Sequence, residues 1–138
     1  MPGMNPKDII GSAKLPMHLW PQTATVTGAI ALLNGKEKYG RSNWREIGVR
    51  ASIYFDACSR HLAAWFEGED VDEEGVPHLG SALACLAIIV DAQAAGKLID
   101  DRQYPGGYRE TIDAMSKLVP EIIARHAGKD PKHYDRRG

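Results

Sequence analysis

The sequence has few of the residues that would place it in a specialised class of protein. It has only two cysteines, Cys58 and Cys85, and 7% aromatic residues in a chain of 138. Both cysteines lie in apolar patterns of helical spacing, so we expect buried, reduced thiols and not a disulfide scaffold. The longest apolar run, residues 82–90, is too short to cross a bilayer. Because no apolar stretch follows Lys7 and Asp8, we expect no signal peptide, no membrane partner and a cytoplasmic location.

The sequence also lacks an excess of charge of either sign. The chain has 17 Lys and Arg against 18 Asp and Glu, a formal net charge of −1. No overall field attracts nucleic acid or anionic lipid, so we expect no nucleic-acid partner, and any binding charge must be local. A chain of this length can bury a core without disulfide or metal. We predict a single domain over residues 1–128 and a mobile polar tail over residues 129–138.

Alternation typical of strands is absent, and apolar residues recur instead with helical spacing in four segments. The predicted helices are about Thr23–Leu33 (ending at Gly35), Asn43–Phe66, Pro77 to Gly96, and one after Gly107. Asn43 and Glu46 have the spacing of an N-cap and its reciprocal acid. Pro120 should kink the last helix or start a new turn. Four helices with short links predict an all-α protein, specifically a four-helix bundle.

The sharpest local anomaly is a run of acids between the second and third predicted helices. Six of the eight residues from 67 to 74 are Asp or Glu, and none is basic. Such a run is either a solvated acidic loop or a site for a hard cation, and oxygen ligands favour Mg²⁺, Mn²⁺ or Ca²⁺ over zinc. An EF-hand loop starting at Asp70 is excluded, because Ser81 stands where the closing Glu is required.

A second feature is a basic junction, residues 36–45, where the first helix ends and the second begins. Four cations, a glycine and a helix N-terminus converge there, which suits phosphate. The alternative is an ordinary basic turn capped by Asn43. On the second helix, Asp56 and Arg60 lie opposite the apolar stripe and His61 lies at its edge. Asp56 and Arg60 form either a solvated ion-paired face or part of a site. His61 and His78 are either hydrogen-bonded core residues or catalytic residues.

Several motifs of this chain occur in fixed order in one known family. Lys38-Tyr39-Gly40 through Asn43-Trp44-Arg45 resembles the K-Y-G-x-x-N-W-R signature of the phage dATP/dGTP diphosphohydrolases. The resemblance continues through three further stretches, covering roughly residues 14–95: Tyr54-x-Asp56-Ala57-x-x-Arg60-His61-Leu62, Gly68-Glu69-Asp70-x-Asp72 and Gly75-x-Pro77-His78-Leu79. The E-x-x-E and E-x-x-D motifs of the wider MazG-like superfamily are absent.

The resemblance implies a fold and an activity. It implies an all-α bundle of the MazG-like nucleoside triphosphate pyrophosphohydrolase type, a homo-oligomer (dimer or tetramer) with sites at subunit interfaces. Such enzymes hold two or more Mg²⁺ or Mn²⁺ ions and convert purine deoxynucleoside triphosphates, dGTP and dATP, to monophosphates. In phages that replace adenine with 2-aminoadenine, relatives of this kind supply dGMP for the modified nucleotide.

The same resemblance guides the assignment of site residues. The expected metal ligands are Asp56, Glu69 and Asp72. The expected catalytic residues are Arg60, His61 and His78, and the expected substrate-binding residues are Lys38, Asn43, Trp44, Arg45 and Trp20. Two hypotheses from other classes remain: a nucleotide-binding bundle without hydrolytic activity, and a protein-interaction module with a merely solvated acidic loop.

Overall fold

The computed structural model describes residue 3 and residues 5–138 of the chain. The chain divides into two compact units, residues 1–99 and 100–138. The first unit contains β1 (Val49–Arg50), β2 (Leu98–Ile99), a short 3-10 turn (Met17–Leu19) and the helices α1 (Pro6–Gly11), α2 (Gln22–Tyr39), α3 (Asn43–Ile47), α4 (Ala51–Phe66) and α5 (His78–Ala94). The second contains α6 (Tyr108–Ser116) and α7 (Val119–Arg125). The predicted all-α class is confirmed, whereas the domain boundary at residue 128 stays a prediction.

The first predicted helix is longer than its sequence indicated. We expected it to stop at Gly35, but α2 continues to Tyr39 and ends where Gly40 adopts φ 92°. A glycine inside a helix costs about 1 kcal/mol relative to alanine, which the rest of the helix can outweigh. A glycine with positive φ, by contrast, cannot continue a right-handed helix.

The second predicted helix is in fact two. The prediction of one helix over residues 43–66 was wrong, because Gly48, with φ 91°, ends α3. The next residues form β1, which pairs in parallel with β2, Val49 opposite Leu98. The expectation of no strands was therefore also wrong, since two-residue strands are too short to show alternation in a sequence. The capping prediction failed as well: Ser42 is the N-cap of α3, without a side-chain hydrogen bond, and Asn43 is already helical.

The later helices follow the prediction more closely. Pro77 directly precedes α5 and serves as its N-cap. Pro120 lies in the first turn of α7, so the predicted restart of the helix at this proline is confirmed. No helix in the part of the chain that the structure describes is long and apolar enough to cross a membrane.

The core of the first unit lies where α5 packs against α2 and α4, and it is built from small residues. The buried apolar residues are Val49, Ala51, Cys58, Val76, Ala82, Ala84, Cys85 and Ala92. Cys58 and Cys85 are free and buried, as predicted. Gly80 allows α5 to approach α2 closely, because any side chain at this position would place a Cβ that overlaps the carbonyl oxygen of Thr27. No large side chain among the described residues is fully buried.

Candidate active site

The acidic run between α4 and α5 forms an ordered turn around Asp72, while the other five acids of the run are exposed. Asp72 Oδ1 accepts hydrogen bonds from the backbone N–H of Glu74 (2.8 Å) and of Val76 (3.0 Å). Gly75, with φ 82°, completes the turn, and Val71 pairs with Pro77 across it. The hydrogen bond from the Val76 backbone is the largest cause that lowers the pKa of Asp72; burial opposes it, and the bond from the Glu74 backbone lowers the pKa further. This carboxylate therefore shapes the loop.

The loop brings one of its acids to the two histidines that the sequence analysis singled out. His78 is buried, with its side chain 8% exposed, and its Nε2 lies 2.9 Å from Oε1 of Glu69. His78 Nδ1 lies 3.0 Å from Nδ1 of His61 on α4. Glu69, His78 and His61 thus form one hydrogen-bonded chain, which we call the Glu–His–His relay.

The hydrogen bonds of the relay determine which nitrogen carries a proton. Ionised Glu69 can only accept, so His78 Nε2 donates to it. When both rings are neutral, His78 Nδ1 must accept from His61 Nδ1–H, and the free lone pair of His61 is then on Nε2. Burial, followed by the neighbouring His78, lowers the pKa of His61. The arrangement can therefore hold a neutral imidazole that accepts a proton at Nε2.

A lysine at the end of α2 forms an ion pair with the acidic turn. Lys38 Nζ lies 2.8 Å from Glu74 Oε1, and both side chains are partly exposed. The hydrogen bond to Glu74 is the largest cause that raises the pKa of Lys38, and Asp72 contributes an attraction. Lys38, His61, Glu69, Asp72 and His78, five of the predicted site residues, thus lie on or beside this turn, and the roles assigned to them stay predictions.

Two predicted substrate-binding residues are engaged elsewhere. The Arg45 guanidinium forms a two-pronged ion pair with Asp91, with Nε and Nη2 each 2.7 Å from a carboxylate oxygen. Trp44 Nε1 donates to the same carboxylate at 2.7 Å. These bonds hold the pKa of Asp91 well below its usual value. They tie α3 to α5 over a sequence separation of 46 or 47 residues. Sequence reasoning missed Asp91 as a partner, because its only local signal is its place at the end of an apolar run.

The remaining predicted residues lie on the surface. Asp56 and Arg60 are exposed on α4, and neither forms an ion pair with any residue that the structure describes. Trp20 is 55% exposed and donates through Nε1 to Thr25 Oγ1 at 3.0 Å.

Asn43 and Trp44 line a cavity of about 440 Å³ between α2, α3 and α5. Sequence reasoning did not find the tyrosines of this cavity, Tyr39 and Tyr54.

The predicted metal ligands do not form a ready-made cage. Within residues 3 and 5–138, no three His, Cys, Asp or Glu side chains are grouped so that they could hold an ion. Glu69 is bonded to His78, and Asp72 uses Oδ1 for the turn. The chemistry of these donors suits a hard cation that needs only one or two protein carboxylates and takes its other ligands from phosphate and water, as Mg²⁺ does.

Comparisons with known proteins relate this site to one family. A family model described as "dATP/dGTP diphosphohydrolase, N-terminal" matches residues 4–102, which include the relay, Lys38 and Asp91. Among curated proteins, the chain is similar to a dATP/dGTP diphosphohydrolase of Salmonella phage PMBT28, with 28% identity over 108 residues. The match covers 78% of this chain but only 37% of the relative, so this chain spans little more than a third of the relative's length. No solved structure matches the chain.

Proposed function

This chain belongs to the dATP/dGTP diphosphohydrolase N-terminal family, and on that premise we propose that it hydrolyses dGTP and dATP to monophosphates. The observation that carries the proposal is the Glu–His–His relay beside the acidic turn to which Lys38 is bonded through Glu74, all inside the matched residues. A base and a cation in one place are what hydrolysis of a phosphoanhydride requires. The resemblance further supports a role for the dGMP formed in the synthesis of 2-aminoadenine nucleotides.

We assign the relay to the activation of water. His61 Nε2 accepts a proton from a water molecule whose oxygen bonds to the α-phosphorus. The bond from this phosphorus to the bridging oxygen breaks, and diphosphate leaves with the electron pair. His78 orients His61, and Glu69 fixes the tautomer of His78 through the 2.9 Å hydrogen bond. Glu69 is thus a positioning residue in this proposal, in competition with its predicted role as a metal ligand.

Lys38 and Arg60 are the cations proposed to face phosphate. Arg60 has no ion-pair partner among the described residues, and its charge is felt at His61. The bond from Lys38 to Glu74 is an exposed pair, and such pairs are weak enough to exchange for a triphosphate oxygen. Arg45 would have to release Asp91 to take this role, so we assign it to the support of α3 instead.

We propose that Mg²⁺ or Mn²⁺ enters with the substrate. Its protein ligands would be one or two of Asp56, Asp72 and Glu69, because the residues described offer no complete cage. Such an ion supplies charge neutralisation on the phosphates and a lower pKa for water. We therefore expect the metal ion to bind together with the nucleotide and to bind only weakly when the nucleotide is absent.

We propose a homo-oligomer because the single chain leaves large apolar side chains uncovered. Val26 on α2, Phe55 and Phe66 on α4, and Val90 on α5 are exposed by 66% or more. A soluble chain rarely leaves so many apolar residues in water unless another surface covers them. Sedimentation equilibrium over a range of concentrations tests this part of the proposal, and a monomer at every concentration would contradict it.

The activity is tested with the full chain and each of the four deoxynucleoside triphosphates, with Mg²⁺ or Mn²⁺, and products separated by anion-exchange chromatography. We expect dGTP and dATP to yield the monophosphate and diphosphate in equal amounts. His61→Gln should abolish turnover, whereas His18→Gln, a histidine outside the site, serves as the matched control. Absence of hydrolysis with every nucleotide and both metals would overturn the proposal, and release of single phosphates would overturn the proposed bond cleavage.

A further inference from the structure

The cavity beside α3 has the size and lining of a site for a small organic ligand. Its volume of about 440 Å³ lies within the range of roughly 300–1,000 Å³ typical of ligand pockets. Leu32 on α2 and Ile88 on α5 line it, together with the aromatic residues Tyr39, Trp44 and Tyr54. Purine bases are flat and apolar on both faces, and aromatic side chains are the usual partners of such faces.

Gly35 is the second observation that points to a ligand here. It lines the cavity in the middle of α2, where a glycine costs helix stability. Packing does not require it, because a Cβ built at Gly35 meets no atom within 4 Å, and its φ is not positive. A glycine where the protein itself has room for a side chain leaves the backbone open to close approach by a ligand.

The charges around the cavity match a ligand that carries phosphate. Lys36 and Arg41 line it, and Arg41 forms no ion pair with any part of the chain that the structure describes. Tyr39 links the cavity to the candidate active site along α2, since it lines the cavity and directly follows Lys38 in the chain. The apolar lining therefore adjoins the cations proposed to bind phosphate.

We infer that this cavity binds the purine nucleoside part of the substrate, against Gly35 and between the rings of Tyr39, Trp44 and Tyr54. The inference rests on the proposed function for the identity of the ligand. Trp44 then has two contacts: its ring lines the cavity, and its Nε1 is held by Asp91. Trp20, the other tryptophan among the expected substrate-binding residues, does not line this cavity.

The inference is tested with deoxyguanosine, which carries no phosphate and cannot be hydrolysed to diphosphate. In the full chain labelled with ¹⁵N, the three indole N–H signals are assigned by changing each tryptophan to Phe. Deoxyguanosine should shift the Trp44 signal saturably and leave the Trp20 and Trp65 signals in place. Gly35→Leu, which fills the cavity without meeting a neighbour at its Cβ, should weaken binding about tenfold or more, the order of one base–aromatic stacking contact.

The matched control is Gly11→Leu, the same substitution at a helical glycine on α1 that also has no atom within 4 Å of its Cβ. It should bind deoxyguanosine like the parent. A missing Trp44 shift, or equal binding by Gly35→Leu and the parent, would overturn the inference. If Gly35→Leu instead changed only the mass of the oligomer, the cavity would be a contact between copies and the inference would fall.

The design separates this inference from the proposed function. Saturable binding of deoxyguanosine that Gly35→Leu weakens, in a chain that hydrolyses no triphosphate, would support the cavity and overturn the activity. Hydrolysis of dGTP with a KM that Gly35→Leu leaves unchanged would support the activity and overturn the cavity.

Discussion

Replacement of helical glycines by alanine should have opposite effects on stability at two positions of the same unit. At Gly80 on α5, the added methyl group would overlap the carbonyl oxygen of Thr27 and lie 3.3 Å from its carbonyl carbon. At Gly35 on α2, the methyl group meets nothing within 4 Å. Both residues lie within helices, so both substitutions gain the same helix propensity and differ only in what the methyl group contacts.

The magnitudes follow from these two contributions. Alanine in place of a helical glycine gains about 0.5–1 kcal/mol. Overpacking costs about 1–3 kcal/mol, and we expect the upper part of this range at Gly80 because the obstacle is backbone. Gly80→Ala should therefore lower the free energy of unfolding by about 1–2 kcal/mol, and Gly35→Ala should raise it by about 0.5–1 kcal/mol. Gly28→Ala, whose Cβ would lie 3.5 Å from the Cβ of Leu83, makes only an ordinary contact and should fall between them.

Urea unfolding monitored by far-UV circular dichroism measures these changes, provided that the three variants and the parent share one cooperative transition and one m-value. In thermal unfolding, about 1 kcal/mol corresponds to a Tm shift of roughly 4 °C for a unit of this size. Gly80→Ala should also weaken binding of dGTP, because it moves α2 and its cavity away from α5. Equal stabilisation by Gly80→Ala and Gly35→Ala would refute the close approach of the two helices.

Three further predictions concern charge. Because the folded pKa of Asp91 lies below its usual 3.8, its ion pair with Arg45 stabilises the fold fully above about pH 5, and this stability is lost as the pH falls below about 4. Asp91→Asn should therefore lower the Tm at pH 7 and flatten its decline in acid, and an unchanged acid profile would count against the pair. EDTA should abolish turnover of dGTP and Mn²⁺ should restore it, while calorimetry should detect little metal binding without nucleotide; full turnover in chelator would exclude a metal. Glu69→Gln and Asp72→Asn should each lose most of the activity, whereas Glu73→Gln should stay near the parent. Equal, small losses at all three positions would show that these acids are solvated and have no role in the activity.

Local patterns in the sequence predicted most of the helices, because helical spacing is a property of neighbouring residues. Lys38, His61, Glu69, Asp72 and His78 were chosen largely from the family resemblance; they lie on or beside one turn of the structure, and their roles stay predictions. Helix ends were less predictable. Gly35 and Gly48 are the same residue type in the sequence, but only Gly48 has a positive φ, and a Cβ built there would lie 2.9 Å from the carbonyl oxygen of Lys97.

What the sequence could not show is which charges pair across large separations. Arg45 belongs to a basic junction that suits phosphate, yet Asp91, far along the chain, takes its guanidinium. In a chain of net charge −1, nearly every cation has an acid available, so the number of cations does not say which of them face a ligand. The geometry assigns Arg45 and Trp44 to the attachment of α3 to α5, which forms one wall of the cavity. Of the cations proposed to face phosphate, Lys38 has only an exposed pair with Glu74, and Arg41 and Arg60 have no ion pair among the described residues.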